Sequence, residues 1–179
     1  MGLRLITPPV AEPMTLAEIK EDLRIDHTDD DAKLTRMMKE ARDWLEITLN
    51  QKLMTQTWDL ILDAFPTDEI FIPFGPIQSV TQVAYDDAVT FLEVIMDPAG
   101  YFLDNTSPAP WLFPADSWPM AMDAVNSVRV RLLAGYETDD DIPASIRAAY
   151  RLKVREFYDG DDLSKEIDRQ IWLYLPMYA

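Results

Sequence analysis

The sequence predicts an α+β fold, with a helical core formed by two helices near each end of the chain and a β-rich middle section. In the first part of the chain, apolar residues recur every three or four positions, as on one face of a helix. From about residue 55 apolar and polar residues alternate, as they do along β-strands. Pro66, Pro73 and Pro76 separate these strand-like segments. After residue 143 the helical spacing returns. This order of periods places the strands between two helical sections.

Two helices are predicted within residues 14–50. Thr15 and Glu18 have the spacing of a capping box, in which two side chains satisfy free backbone N–H groups at a helix start. A polar turn, DHTDDD, separates this helix from a longer one, which Asp29 or Asp30 can cap. Residues 7–14, TPPVAEPM, are expected to be an extended lead-in, because proline fixes its own φ and restricts its predecessor. The apolar stripe of the longer helix comprises Leu34, Met37, Met38, Ala41, Trp44, Leu45 and Leu49.

Residues 55–135 are predicted to be β-rich. TQTWDLILDAF, DEIFIPF, IQSVTQVAYDD and FLEVIM have the composition of strands, and residues 97–120 indicate a long irregular excursion with brief strands. Residues 126–134 alternate most clearly, so one face should be buried and the other should carry Arg129 and Arg131. The buried face is predicted to present Val128, Val130 and Leu132.

A core helix at 143–158 and a C-terminal helix with a tail at 162–179 complete the prediction. Pro143 suits the first turn of a helix, and Asp139–Asp141 before it favour the positive end of the helix dipole. After the break DGDD, apolar residues recur every four positions and indicate a last short helix. They are Leu163, Ile167, Ile171 and Leu175. We expect residues 1–179 to form a single domain.

Composition narrows the class of protein. Hydrophobic residues make up 48% of the chain, which argues against wholesale disorder. The net charge of −16 repels phosphate backbones, so general nucleic-acid binding is disfavoured. Cysteine is absent, and no apolar run approaches the ~20 residues that span a bilayer. We therefore expect a soluble intracellular protein without disulfides.

No residue pattern indicates catalysis, a metal or a cofactor. His27 is the single histidine, so a His-dependent triad or a two-His metal site is excluded. The acidic stretches Asp29–Asp31, Asp139–Asp141 and 159–166 lack the alternating ligands of a calcium loop, and they lie where helix starts favour acids. Phosphate-cradling glycine motifs are missing. We expect no enzyme, although a small hydrolase that uses a carboxylate pair stays an alternative.

The C-terminal sequence IWLYLPMYA is the candidate interaction site. Its density of aromatic residues is unusual for a chain terminus, and two interpretations fit. The tail docks on the chain's own core, or it buries itself in a partner, where such residues anchor interfaces. The candidate contact residues are Ile171, Trp172, Tyr174, Leu175, Met177 and Tyr178.

Over nearly its whole length the chain resembles the head–tail connector (adaptor, head-completion) proteins of long-tailed phages and gene transfer agents. The resemblance is carried by the order of TPP…EP-T-LAE-K-LR-D, L-TQTW and AGY…-IP-IR. It implies a non-enzymatic structural virion protein. About twelve copies would form a closed ring beneath the portal, with heterologous contacts between neighbours.

The resemblance also implies partners and a location. The ring would join the DNA-filled head to the tail and let DNA pass, bound to the portal protein on one side. A tail-side neck, stopper or tail-completion protein would bind the other side. The location would be the virion neck after assembly in the host cytoplasm, with no sequence-specific nucleic-acid binding and no membrane. Tails in this family reach toward the portal, which favours the partner interpretation of the C-terminal residues.

The alternative from another class is an acidic module that mimics DNA and inhibits a DNA-binding protein. Such a module needs acids arrayed along one surface, whereas acids here cluster at helix starts and turns.

Overall fold

The computed structural model describes residues 1–106 and 110–176. The chain divides into two compact units. The β unit comprises Met1–Pro9 and Thr55–Gly135, and the helical unit comprises Val10–Met54 and Tyr136–Ala179. Apart from a strand at the start of the chain, helices and strands occur in the predicted order, and the α+β prediction is confirmed. The expectation of a single domain stays a prediction.

The β unit contains two antiparallel sheets. The strands are β1 (Gly2–Thr7), β2 (Gln56–Leu62), β3 (Ile70–Phe71), β4 (Ile77–Asp86), β5 (Glu93–Ile95), β6 (Tyr101–Asp104), β7 (Trp111–Pro114) and β8 (Val128–Ala134). The larger sheet has five strands in the order β1-β2-β8-β4-β5, and the smaller has three in the order β3-β7-β6. The two brief strands β6 and β7 lie within the excursion predicted at 97–120.

Strand β1 was not predicted from the sequence. It pairs antiparallel with β2, from Gly2 opposite Ile61 to Thr7 opposite Thr57. Every residue of β1 is exposed. No buried face therefore marks the strand in its own sequence, and the pairing with β2, far along the chain, defines it.

The predicted alternation of β8 is present. Val128, Val130 and Leu132 are fully buried, whereas Arg129 and Arg131 lie on the opposite face. Hydrophobic residues from both sheets complete the β core around this strand. The buried set is Leu60, Ile70, Ile72, Phe74, Ile77, Val83, Leu112, Val130, Leu132 and Ala134.

The helical unit contains α1 (Leu16–Leu23), α2 (Asp31–Leu49), α3 (Ala144–Asp159) and α4 (Ser164–Ile171). The capping box at the start of α1 is formed, with the Thr15 N–H donating to Glu18 Oε2 at 2.7 Å and the Glu18 N–H donating to Thr15 Oγ1 at 3.3 Å. Asp30 precedes α2 but makes no side-chain cap bond to it. None of the helices in the described ranges is long and apolar enough to cross a membrane.

Helix α4 ends before Leu175, although the four-residue recurrence extends to that residue. Pro176 follows, and a proline ring disfavours helical φ and ψ in the residue before it. Residues 172–174 form turns instead. The helical core comprises Met14, Ile19, Leu34, Met38, Ala41, Leu45, Leu49, Leu53, Met54, Ile142, Ile146, Ala149, Tyr150, Val154, Ile167 and Ile171.

Candidate partner-binding surfaces

The junction between α3 and α4 is held by a buried lysine. The Lys153 ammonium lies 4.2 Å from the ring centroid of Trp44 and 4.8 Å from that of Phe157, and it pairs with the Glu156 carboxylate. Glu156 Oε2 also accepts the Leu163 N–H at 3.1 Å. The cation is thus compensated by a carboxylate and two aromatic faces, as a buried charge requires. This arrangement fixes the start of α4 to α3.

The residues that follow α4 extend from a buried anchor. Ile167 and Ile171 are fully buried in the helical core. The Trp172 N–H donates to the Asp168 carbonyl at 3.0 Å, and the Tyr174 N–H donates to the Ile171 carbonyl at 2.8 Å. These two hydrogen bonds therefore hold the backbone after α4 in a defined turn, and the side chains of the turn project from that backbone.

The predicted contact residues divide into three groups. Ile171 packs into the chain's own core, and Tyr174 packs partly against that core. Trp172 and Leu175 are exposed. Met177 and Tyr178 lie outside the described residues. A partner interface at this end of the chain stays a prediction.

Leu173 is an exposed apolar residue that is not among the predicted contact residues. Its side chain is 69% exposed, and that of Trp172 is 64% exposed. Both residues follow the end of α4 and lie off the four-residue recurrence of Leu163, Ile167 and Ile171. That recurrence is the signal that could have separated Leu173 from the buried residues, because counting aromatics does not distinguish the faces of a helix. We name Trp172, Leu173 and Leu175 the C-terminal patch.

A second surface is the outer face of the five-stranded sheet. Asp59 accepts hydrogen bonds from Arg4 and Arg131, and Arg129 pairs with Asp86 and Glu93. Burial alone would raise the pKa of Asp59. The hydrogen bonds and positive charges of the two arginines outweigh burial and hold that pKa below its usual range. These carboxylates are engaged in ion pairs that link neighbouring strands of the sheet.

A third surface, the loop of residues 87–92 between β4 and β5, was also missed. Residues 91–96 were predicted to be strand, but β5 comprises Glu93–Ile95 only, and Phe91 and Leu92 lie in the loop. Asp87 Oδ1 accepts the N–H groups of Val89 at 3.0 Å and Thr90 at 2.7 Å. These hydrogen bonds lower the Asp87 pKa, Thr90 having the larger effect. We call residues 87–92 the tip loop.

The acidic stretches contribute to local structure. Asp31 pairs with Lys20 at 2.6 Å, and Asp30 accepts a hydrogen bond from the Tyr158 hydroxyl at 2.8 Å. Asp141 forms a capping box with Thr138. Within residues 1–106 and 110–176, no three acidic or histidine side chains are grouped so that they could hold a metal ion.

Residues 13–96 match the family model described as "Phage gp6-like head-tail connector protein". This match confirms the predicted resemblance to head–tail connector proteins over residues 13–96 and supports a structural connector role. No curated protein matches the chain.

Solved structures share the fold over the full length. The chain has a TM-score of 0.86 to a chain of "Neck of empty GTA particle computed with C6 symmetry". The TM-score is 0.84 to a chain of "Virion of native gene transfer agent (GTA) particle" and 0.83 to one of "Neck of native GTA particle computed with C12 symmetry". Each is 20% identical, and each alignment covers 100% of this chain and 97% of the other.

Proposed function

We propose that this chain is a non-catalytic subunit of a ring in the virion neck, where the ring joins the portal to the tail and encloses the path of the DNA. The observation that carries the proposal is the match of residues 13–96 to head–tail connector proteins. The full-length similarity to a neck chain from a particle computed with C12 symmetry supports a ring of about twelve copies.

The charge of the chain is compatible with a DNA conduit. At a net charge of −16, attractive contacts with the phosphates of a passing genome are disfavoured. In the β unit, moreover, the basic residues Arg4, Arg129 and Arg131 are engaged by Asp59, Asp86 and Glu93. A ring of such subunits would let DNA slide rather than hold it.

The C-terminal patch is the proposed contact with the portal. Its apolar side chains are exposed on a backbone that α4 fixes, so an interface there loses little conformational entropy on binding. Leu173 joins the predicted residues in this proposal, whereas Ile171 serves as the buried anchor. The tail-side neck or stopper protein would bind a different surface of the ring.

The test is the composition of assembled particles. Tailed particles are purified from producing cells, and this chain is counted against the portal subunit by quantitative mass spectrometry. A ratio near one to one is expected. Absence of the chain from intact tailed particles would overturn the proposal and favour an acidic inhibitor, which should instead be found bound to a DNA-binding protein.

A further inference from the structure

The five-stranded sheet ends in two open edges. In the part of the chain that the structure describes, no strand pairs with the outer side of β1 or of β5. A strand at the edge of an antiparallel sheet directs the N–H and C=O groups of every second residue away from its partner, so both edges present unpaired donors and acceptors. An extended strand from outside the sheet can satisfy these groups.

Strand β1 is open to pairing from Gly2 to Leu5. All of its residues are exposed, and the apolar residues Leu3 and Leu5 are 45% and 42% exposed. Natural proteins block such edges with proline, lysine or a bulge. Here the charged residue Arg4 is engaged with Asp59 of the neighbouring strand, and the bulge follows Leu5. The first four residues of β1 are therefore free to accept a further strand.

Strand β5 forms the opposite edge, directly after the tip loop. Its pairing with β4 runs from Glu93 opposite Asp86 to Ile95 opposite Ala84. Ile95 is 63% exposed, and Leu92 at the end of the tip loop is 67% exposed. The strand contains neither proline nor lysine, so this edge is open to a further strand as well.

The two edge strands run in the same direction. Every neighbouring pair in the order β1-β2-β8-β4-β5 is antiparallel, so an even number of reversals makes β5 parallel to β1. When β5 of one copy lies beside β1 of the next, the sheet continues as a parallel pair, and each further copy repeats the same step. Pairing of β1 with β1, by contrast, is an isologous contact that ends at two copies.

We propose that β5 of one copy adds to the β1 edge of a second copy, and that repetition of this strand pairing closes the ring. This inference rests on the proposed function. A cyclic ring needs a heterologous contact between two different surfaces that every subunit carries, and the two unlike edges of one sheet are such surfaces. Backbone hydrogen bonds carry the contact, so the Arg4–Asp59 and Arg129–Glu93 ion pairs stay intact.

The shortness of β5 determines where this contact forms. The strand has three residues, so one copy exchanges only a few hydrogen bonds with its neighbour. In a closed ring each copy uses both edges at once, and the weak contacts reinforce one another. We therefore expect the pairing in assembled particles, where the portal gathers the copies.

Crosslinking in particles tests the pairing. Gly2 lies on the outer face of the sheet with Arg4, and a Cβ added there has no contact within 4 Å. Ile95 lies on the same face, because it is opposite Ala84 and Ala84 is opposite Arg129. The chain has no cysteine, so Gly2→Cys and Ile95→Cys are introduced together and treated with a short bis-maleimide. We expect a ladder of linked multimers.

Two controls identify what the β1 edge contacts. Gly2→Cys alone should give no linked dimer, and a linked dimer would overturn the proposal by showing that β1 meets β1. Gly2→Cys combined with Ile47→Cys, an 80% exposed position on α2, measures chance collisions and should give no ladder. A ladder as strong as that of the Gly2/Ile95 pair would likewise overturn the proposal.

A lysine variant tests the β5 edge without a crosslinker. A lysine on an edge strand opposes the addition of a further strand, so Ile95→Lys should block the pairing. Because Ile95 is exposed, the melting temperature should stay nearly unchanged. The number of copies per portal subunit should fall at least about tenfold, as for an interface hot spot. Ile47→Lys makes the same change outside the sheet and should leave both quantities unchanged.

The outcomes distinguish this contact from the proposed function. A wild-type chain absent from tailed particles overturns both. A wild-type chain near one per portal subunit, with no ladder from the Gly2/Ile95 pair and normal incorporation of Ile95→Lys, leaves the connector function standing and overturns the strand pairing alone.

Discussion

Asp59 of β2 and Arg131 of β8 lie directly opposite each other and form a two-point ion pair. Arg131 Nε donates to Asp59 Oδ1 at 2.8 Å, and Nη2 donates to Oδ2 at 3.0 Å. Arg4 Nη2 of β1 donates to the same Oδ2 at 2.9 Å. The Asp59 side chain is 1% exposed, so a single carboxylate links three adjacent strands from a shielded position.

We expect Asp59→Asn to destabilise the protein at pH 7 by roughly 2 kcal/mol, because two arginines lose their charged acceptor. The pKa of Asp59 is lower in the folded than in the unfolded chain, so the ionised form contributes stability above the ordinary aspartate pKa of about 3.9. That contribution is lost as the pH falls through the lower, folded-state pKa.

Urea unfolding of the wild type and of Asp59→Asn across this pH range measures the effect. The difference in unfolding free energy should shrink at acidic pH. A difference that stays constant from pH 7 to below the folded-state pKa would show that the carboxylate charge is not the cause.

Ile171 and Trp172 are adjacent in sequence but should have opposite roles. Ile171→Ala removes fully buried methyl groups, and we expect the free energy of unfolding to fall by about 2–5 kcal/mol. Trp172→Ser changes an exposed side chain and should leave the melting temperature nearly unchanged. Incorporation of Trp172→Ser into particles should nevertheless be reduced.

Thermal unfolding and particle composition, measured on both variants, check this pair. Normal incorporation of Trp172→Ser would argue against the C-terminal patch as a portal contact. A large loss of stability in the same variant would instead show that Trp172 supports the fold.

The hydroxyl of Tyr150 is buried in the helical core without a hydrogen-bond partner among the described residues. Burial raises its pKa, so the group stays protonated at neutral pH, and burial likewise raises the pKa of Glu12 nearby. Tyr150→Phe keeps the ring and removes the unpaired group. We expect it to be neutral or to stabilise the protein by up to about 1 kcal/mol.

Chemical denaturation of Tyr150→Phe gives the answer, with Tyr150→Ala as the comparison. The alanine variant leaves a cavity and should cost about 3–5 kcal/mol. A clear loss of stability in Tyr150→Phe would mean that the hydroxyl is paired in solution.

The Thr15 capping box should contribute measurably to stability. Thr15→Ala removes the cap acceptor and should cost about 1 kcal/mol, whereas Thr15→Ser keeps the oxygen and should cost much less. Hydrogen bonds from Thr15 lower the pKa of Glu18. The part of the stability that comes from the ionised Glu18 carboxylate is therefore present above the ordinary glutamate pKa, and it declines as the pH falls through the folded-state value. Thermal unfolding at pH 7 and at acidic pH measures both effects. Equal stability of Thr15→Ala and the wild type at pH 7 would contradict the prediction.

The sequence by itself determined the features that depend on residues close together in the chain. The Thr15–Glu18 spacing predicted the capping box, and the alternation around Val130 predicted which face of β8 is buried. The helical periods located α2 and α3 for the same reason, since a repeat of three or four residues directly reflects one buried helix face. The family resemblance also rests on short motifs of residues that are close together in the chain.

The tertiary structure decided what depends on residues far apart or on backbone geometry. Strand β1 is exposed throughout and exists as a strand through its pairing with β2. The burial of Ile171 beside an exposed Trp172 depends on how α4 packs. The meeting of Arg4, Asp59 and Arg131 requires the strand order of the larger sheet. Alternation along one strand predicts which residues share a face, but only the pairing of strands decides which charges become neighbours.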